Sequence, residues 1–311
     1  KTSLLEAACV LLRLASPRAN RLADLIQHER RGLAIDGYFG ARHLQFYFSK
    51  ERKKLALDEV EQKTAREYLT VGRAVWFSNA DIEIARGSGD VRRRFLDFVA
   101  AQMEGGYMRA LRAYERALRA RNALLRSPAP RWKEIAAFDQ PLLSAGAAVT
   151  GARAGLLQAL QPEAAAAHAA ISSGRETLRL EYQPGSGGDF AAALHAAKEE
   201  DARLRQTTVG PHRDDAAFFL NEVSSDFASE GQQRTLVLAL KLGAARLLAR
   251  HFPTPPLLLL DDIFGELDVA RRNALLGALP VDAQKIVATT HLDWMPSDLP
   301  ASVLRLGSTE G

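Results

Sequence analysis

Three clusters of residues in this 311-residue chain have types and spacing suited to handling a phosphate ester. The first is Leu257-Leu-Leu-Leu-Asp261-Asp262. An apolar strand that ends in acids puts carboxylates at the carboxyl edge of a sheet, where α/β proteins bind ligands. There Asp261 can hold a magnesium ion, directly or through water, and Asp262 can polarise an attacking water. A strand capped by two solvated acids would read the same way, so the cluster gains weight only in company.

The second cluster is Lys1-Thr2-Ser3, running into an apolar helix. It has the form of the end of a phosphate-binding loop, in which backbone amides cradle phosphates, the lysine reaches the terminal ones and the hydroxyl ligates magnesium. On that reading Lys1 binds phosphate and Thr2 serves the metal. The sequence starts at the lysine, without the glycines, so the chain as written is expected to bind nucleotide poorly or not at all.

The third is Phe227-Ala-Ser229-Glu-Gly231-Gln232-Gln-Arg-Thr235, directly before a helix. Ser229, Gly231 and Gln232 offer a hydroxyl, free amides and the positive end of a helix dipole to an anion. A plain serine N-cap is the simpler alternative. The position of this turn one helix ahead of the acidic strand argues for the anion site, because signature-then-acidic-strand is the order of ABC-type ATPases. Gly265-Glu-Leu-Asp268 follows the acidic strand, where such ATPases contact the opposing subunit, and Thr289-Thr-His291 ends the next strand, where they place a residue near the terminal phosphate.

These clusters need elements to position them. Residues 3–15 read as a helix; Leu33–Phe39, His43–Phe48 and Ala74–Phe77 read as strands, the first two antiparallel. From about residue 89 to 205 the sequence is rich in Ala, Leu, Arg and Glu and reads as helical, with breaks expected at Pro128 and Pro130, Pro141 and Pro162. Tyr107, Leu111, Tyr114, Leu118 and Leu125 recur at heptad-like spacing, which predicts one helix face packed on another helix. Thr177–Gln183 reads as a strand inside this section. Beyond Thr207 strands alternate with helices: strands at Ala216–Leu220, Leu257–Leu260, Lys285–Thr290 and Ser302–Leu306, helices at Gly231–His251 and Arg271–Leu279. The fold class predicted is α/β: an ATPase head with a parallel-containing sheet flanked by helices and an antiparallel portion, plus an inserted α-helical arm lobe. The divisions are 1–88 and 206–311 for the two parts of the head and 89–205 for the arm.

Composition agrees with a soluble protein, with 47% hydrophobic and 25% charged residues and a net charge of +4. No apolar run is long enough for a transmembrane helix and no signal peptide is evident. Cys9 is the one cysteine, so an internal disulfide is excluded, which suits a reducing cytoplasm.

The motifs together resemble the RecF family of recombination mediators. The resemblance rests on Gly210-Pro-His-Arg-Asp-Asp215, Ser229–Thr235, Leu257–Asp268, Phe77–Asp97 and Tyr114–Leu125, and covers most of the chain, most weakly 127–206. It implies an ABC head with a short arm, a dimer formed on ATP, slow ATP hydrolysis with Mg2+, DNA binding, and work with RecR and RecO in loading RecA. It also implies that Ser229, Gly231 and Gln232 reach the nucleotide of a second copy, that Asp268 lies at the dimer interface, and that Asp262 positions water. His291, the second catalytic candidate, comes from the order of ABC-type ATPases and is less typical of this family. Departures are Asp262, where many ABC ATPases have Glu, and Ser78-Asn-Ala-Asp81, where the family has Pro-Glu-Asp.

Arg109, Arg112, Arg116 and Arg119 form one stripe along a predicted helix, and Arg92 and Arg93 belong to a second basic cluster. Such cations can neutralise phosphates of gapped or junction DNA without reading bases. Charged residues also simply cover solvated faces, or pair internally. Two alternatives remain: a scaffold for DNA and RecR with a vestigial ATPase, or another ABC-type head of SMC-like or OLD-like kind.

Overall fold

The computed structural model describes residues 1–19, 21–295 and 301–306. In chain order its elements begin α1 (Thr2–Arg13), β1 (Gly32–Phe39), β2 (Arg42–Ser49), β3 (Lys53–Leu57), β4 (Val60–Glu61), α2 (Ala65–Tyr68) and β5 (Ala74–Ser78). There follow α3 (Glu83–Arg86), α4 (Gly89–Met103), α5 (Tyr107–Leu125), α6 (Trp132–Ala136), α7 (Asp139–Ser172), β6 (Leu178–Gln183), α8 (Phe190–Ala196) and α9 (Lys198–Leu204). The last are β7 (Asp215–Leu220), β8 (Val223–Ser224), α10 (Glu230–His251), β9 (Leu257–Asp261), α11 (Val269–Ala278) and β10 (Lys285–Ala288). The chain divides into two compact units: Lys1–Asp81 with the described residues from Leu248 onward, and Ile82–Leu247.

The first unit holds a three-stranded parallel sheet in the order β10-β9-β5. Its middle strand is apolar from Leu257 to Leu260 and all four leucines are buried, as a strand covered on both faces requires. The register sets Ser78 and Ala288 on either side of Asp261, so three chain segments end at one edge beside the acids. A second, antiparallel sheet, β1-β2-β3-β4, alternates buried Leu44, Phe46, Leu55 and Leu57 with outward residues. α1 packs Leu5, Cys9, Val10, Leu11 and Leu12 into this core. Its last turn is closed by buried Arg13, which donates to the carbonyls of Leu69 and Gly72 at 3.0 and 2.8 Å. Burial, with like charge from Arg73, pushes the Arg13 pKa down to about 10.

In the second unit α5 lies along α7, with Tyr107, Tyr114 and Leu125 buried as the heptad-like spacing predicts. Leu111 and Leu118 are only half-buried, and Ala117 and Arg121 complete the inward face. α10 approaches α7 closely at Gly243, where a side chain would stand 2.8 Å from the Ala164 backbone nitrogen.

Three expectations are corrected. Pro141 sits in the first turn of α7, where its missing N–H costs nothing, and α7 continues through Pro162 to Ser172. Buried Leu156, Leu157, Leu160, Ala164 and Ala167 on either side hold it there, and Gln161 ties it to β6 by bonds with Leu178 O and Leu180 N at 2.9 and 2.6 Å. The strand read at Ala216–Leu220 joins an antiparallel sheet, β6-β7-β8, in the second unit rather than the parallel one. Residues 302–306 form no strand. Sequence reading also missed β3, β4 and β8, which are short or lysine-rich.

Candidate nucleotide site

In the first unit, Thr2 and Asp261 meet: Thr2 Oγ1 donates to Asp261 Oδ1 at 2.8 Å. Asp261 ends β9, and Thr2 opens α1, whose first turn has no side-chain cap for its amides. A hydroxyl and a carboxylate oxygen at one point are hard oxygen donors, which fits magnesium. Lys1 Nζ donates to Thr289 O at 2.8 Å, so the lysine stands at the end of β10, next to the same edge.

Asp262 departs from ordinary backbone. Its φ is +53°, a left-handed conformation that costs a non-glycine residue on the order of 1 kcal/mol and is favoured at functional turns. Two bonds hold it: Asp262 N donates to Ala288 O at 2.8 Å, and its carbonyl accepts from Asn79 Nδ2 at 3.1 Å. Asn79 follows β5, next to β9, so the register that pairs Ser78 with Asp261 also delivers it. A polar residue just past that strand was the one signal that could have found it. Beyond the acids, Phe264 stacks on Trp294 with centroids 4.2 Å apart, and Trp294 Nε1 donates to Thr289 Oγ1 at 3.2 Å. Thr289 Oγ1 in turn donates to His291 O at 2.8 Å, and His291 is exposed. Asp268 caps α11, accepting from Arg271 N at 2.8 Å; that backbone bond holds its carboxyl below the usual range.

In the second unit the signature forms a reciprocal cap. Ser229 N donates to Gln232 Oε1 at 2.7 Å and Gln232 N donates to Ser229 Oγ at 3.4 Å. Ser229 is exposed, and Phe227 just before it is 84% exposed. Gln232 Nε2 reaches Glu176 Oε1 at 2.6 Å, and Thr235 Oγ1 donates to Gly231 O at 2.9 Å.

The segment 210–215 is structural in a way its sequence does not announce. Buried Asp214 accepts through Oδ2 from Arg153 at 3.2 Å, Thr150 at 3.3 Å and the Tyr182 hydroxyl, and through Oδ1 from Gly185 N at 2.8 Å. His212 bonds the Tyr114 hydroxyl at 2.6 Å and Thr207 O at 2.9 Å. Gly210 adopts φ +120°, and a side chain there would strike Phe190 and the Tyr114 hydroxyl.

The two basic clusters differ. Arg92 is held by Asp215 at 2.6 and 2.8 Å, and Arg93 by Asp214 O at 2.5 Å and by Asp90. Burial raises the Asp215 pKa, but the bonds from Arg92 and Ala216 N outweigh it and the carboxyl falls below its ordinary value. Arg109, Arg112, Arg116 and Arg119 are all exposed on α5. Of these four, Arg119 alone has an ion pair among the described residues, with Glu115 at 3.7 Å. On the opposite face Arg121 is buried against Asp201 at 2.7 Å and Asp139 at 3.1 Å.

Among the described residues no helix is long and apolar enough to cross a membrane. No protein-family model matches the chain. Curated proteins do: it is 38% identical to the DNA replication and repair protein RecF of Synechococcus sp. over 314 residues, which are 94% of this chain and 83% of the relative. It is 32% identical to the protein of that name from Streptococcus equi subsp. equi over 327 residues, 100% and 89% of the two chains. Among solved structures it resembles the recombination mediator protein RecF with ATP, in the RecFOR pathway, with a TM-score of 0.83 and 27% identity over 94% and 83% of the chains. A second structure, of RecF-ATPrS, gives 0.82 and 26% over 93% and 83%.

Proposed function

This chain belongs to the RecF family, and from that premise we propose that it is an ATP-gated dimer that binds gapped or junction DNA in recombinational repair. It is a DNA-repair ATPase of the ABC type. The observation that carries the reading is the meeting of Thr2 with Asp261 at the sheet edge where Lys1, Asp262 and Thr289 also end.

In this reading Lys1 binds the terminal phosphates of ATP, and Thr2 and Asp261 would hold Mg2+, which when bound neutralises phosphate charge. Asp262 positions the attacking water and accepts its proton, as a carboxylate in a fixed backbone can. An aspartate, shorter than the glutamate of many relatives in the superfamily, suits slow turnover. His291 is the phosphate sensor. Ser229, Gly231 and Gln232 contact the nucleotide of a second copy, and Asp268 lies where the copies meet. Exposure of Ser229 and of the Phe227 ring supports that, since a large exposed aromatic beside a helix N-terminus is suited to being covered by a partner.

DNA meets the Arg109, Arg112, Arg116 and Arg119 stripe, whose guanidinium groups face solvent. Arg92 and Arg93 contribute less, being held by Asp215 and Asp214. The protein works in the cytoplasm with RecR and RecO to load RecA; residues 1–88 and 206–311 act as the ATPase head and 89–205 as the arm.

Oligomer mass followed by light scattering, on the chain with a complete phosphate-binding loop ahead of Lys1, with ATP and magnesium and with or without gapped DNA, tests this. A shift from monomer to dimer on ATP, favoured by DNA, is expected. A monomer under every condition would instead favour a scaffold whose nucleotide motifs serve architecture.

A further inference from the structure

Behind the signature turn, Gln232 is gripped at both ends of its amide. Its oxygen accepts from Ser229 N at 2.7 Å, and its nitrogen donates to Glu176 Oε1 at 2.6 Å. Glu176 stands just ahead of β6, 56 positions from Gln232, with its side chain 16% exposed.

The surroundings of Glu176 make this bond directional. Its second oxygen lies 3.7 Å from Nε2 of His168, which is fully buried and makes no hydrogen bond through either ring nitrogen. One turn later on α7, the Ser172 hydroxyl is buried and also unpartnered. Burial pushes the His168 pKa below its ordinary value against the pull of Glu176, which disfavours a charged ring beside the carboxylate. Among the described residues the one hydrogen bond of the Glu176 side chain is therefore to the signature glutamine. Bonds to an ionised acceptor in a partly desolvated place are short and about twice as strong as neutral ones.

A glutamine left free at that end would sample several rotamers, and the bond it returns to Ser229 N would be made only part of the time. We propose that Glu176 is a positioning residue for the signature: by fixing Gln232 it fixes the Ser229 backbone, and so the hydroxyl and amides offered to the nucleotide of a second copy. Glu176 acts through Gln232 and touches no nucleotide. This inference rests on the reading of residues 229–232 as a contact made across copies.

The test uses the intact protein with Glu176→Ala and Glu176→Gln. Without nucleotide, hydrogen exchange at the Ser229 amide quickens about tenfold in Glu176→Ala, while β6 and the remainder of α10 stay within about twofold. Glu176→Gln, whose neutral amide oxygen still accepts from Gln232 but less strongly, exchanges nearer to the parent than to the alanine variant. With ATP, Glu176→Ala weakens dimerisation about tenfold and Glu176→Gln restores most of it, nucleotide affinity of the monomer holding within about twofold. Unchanged exchange at Ser229 in the alanine variant overturns the proposal, and so does a glutamine variant as impaired as the alanine one. If the parent stays monomeric with ATP, the contact across copies is wrong, while the exchange measurement still decides what positions Ser229.

Discussion

Asn79 and Asp262 are 183 positions apart in the chain, and the Asn79 side-chain amide donates to the Asp262 carbonyl at 3.1 Å. With the Asp262 N–H bound to Ala288 O, this clamps a left-handed residue between the ends of two strands. The aspartate proposed to orient water therefore has its main chain set by both neighbours of β9.

Asp262→Asn should lower ATP turnover by about 100-fold or more, since it removes the base and keeps the shape. Asn79→Ala, which removes one bond to the main chain, should lower it by about tenfold. Nucleotide affinity should stay within about threefold in both, measured by titration with a fluorescent ATP analogue. Turnover unchanged in Asp262→Asn would remove its catalytic assignment.

Ser229→Arg puts a long cation where a second copy would have to close. Dimerisation on ATP should weaken by about 100-fold or more, whereas the monomer should lose only about 1 kcal/mol from the weakened cap. Light scattering and a denaturation curve separate the two. Dimers that persist would mean that the signature does not act across an interface.

Replacing Arg109, Arg112, Arg116 and Arg119 together by Ala should weaken DNA binding and flatten its salt dependence, by about 0.9 in slope for each phosphate that the arginines no longer neutralise. Nucleotide binding should not change. Arg92→Ala should instead cost about 1–3 kcal/mol of stability, because Asp215 loses its ion pair and keeps only the bond from Ala216 N. Equal DNA affinity before and after the fourfold change would exclude the stripe.

The second unit should weaken in acid before its carboxylates titrate. Burial lowers the pKa of His168, which faces Glu176, and of His212, which faces the Tyr114 hydroxyl and Thr207 O with Arg213, Arg93 and Asp214 near. Below the ordinary value of 6.5 the unfolded chain binds protons that these folded rings resist, so stability falls as pH drops from about 7 towards 5. Each ring contributes a slope of at most about 1.4 kcal/mol per pH unit. His43, raised by Asp36 and then Glu59, works in the opposite sense in the first unit. Amide exchange in α7 and β6 across this range is the check, and a flat profile there would contradict the two buried histidines.

The meeting of Thr2 with Asp261 was legible because it is written locally: the acidic strand and the lysine-threonine pair each declare themselves in a few residues, as does the cap at 229–232. The α5–α7 packing was legible from the spacing of Tyr107, Tyr114 and Leu125. What escaped depends on partners distant in the chain. Pro162 does not end α7 because the leucines and alanines around it are buried against other elements, and propensity alone does not record that. The strand at 215–220 has an apolar alternation that suits either sheet, and only its antiparallel partner at 178–183 decides. Asn79 and Glu176 act through single side-chain hydrogen bonds to residues far along the sequence, so no local pattern marks them.

The second unit looks self-sufficient as a stretch of helices, yet residues 210–215 are its keystone, joining α4, α5, α7 and β6 through Asp214, His212 and Asp215. During synthesis the chain from α4 to α9 emerges before that segment, with Arg92 and Arg153 still lacking their partners there. The second unit can close those contacts only once this segment has left the ribosome. Its assembly is therefore timed by the far end of its own sequence, and the signature turn at 229–232 follows only a few residues later.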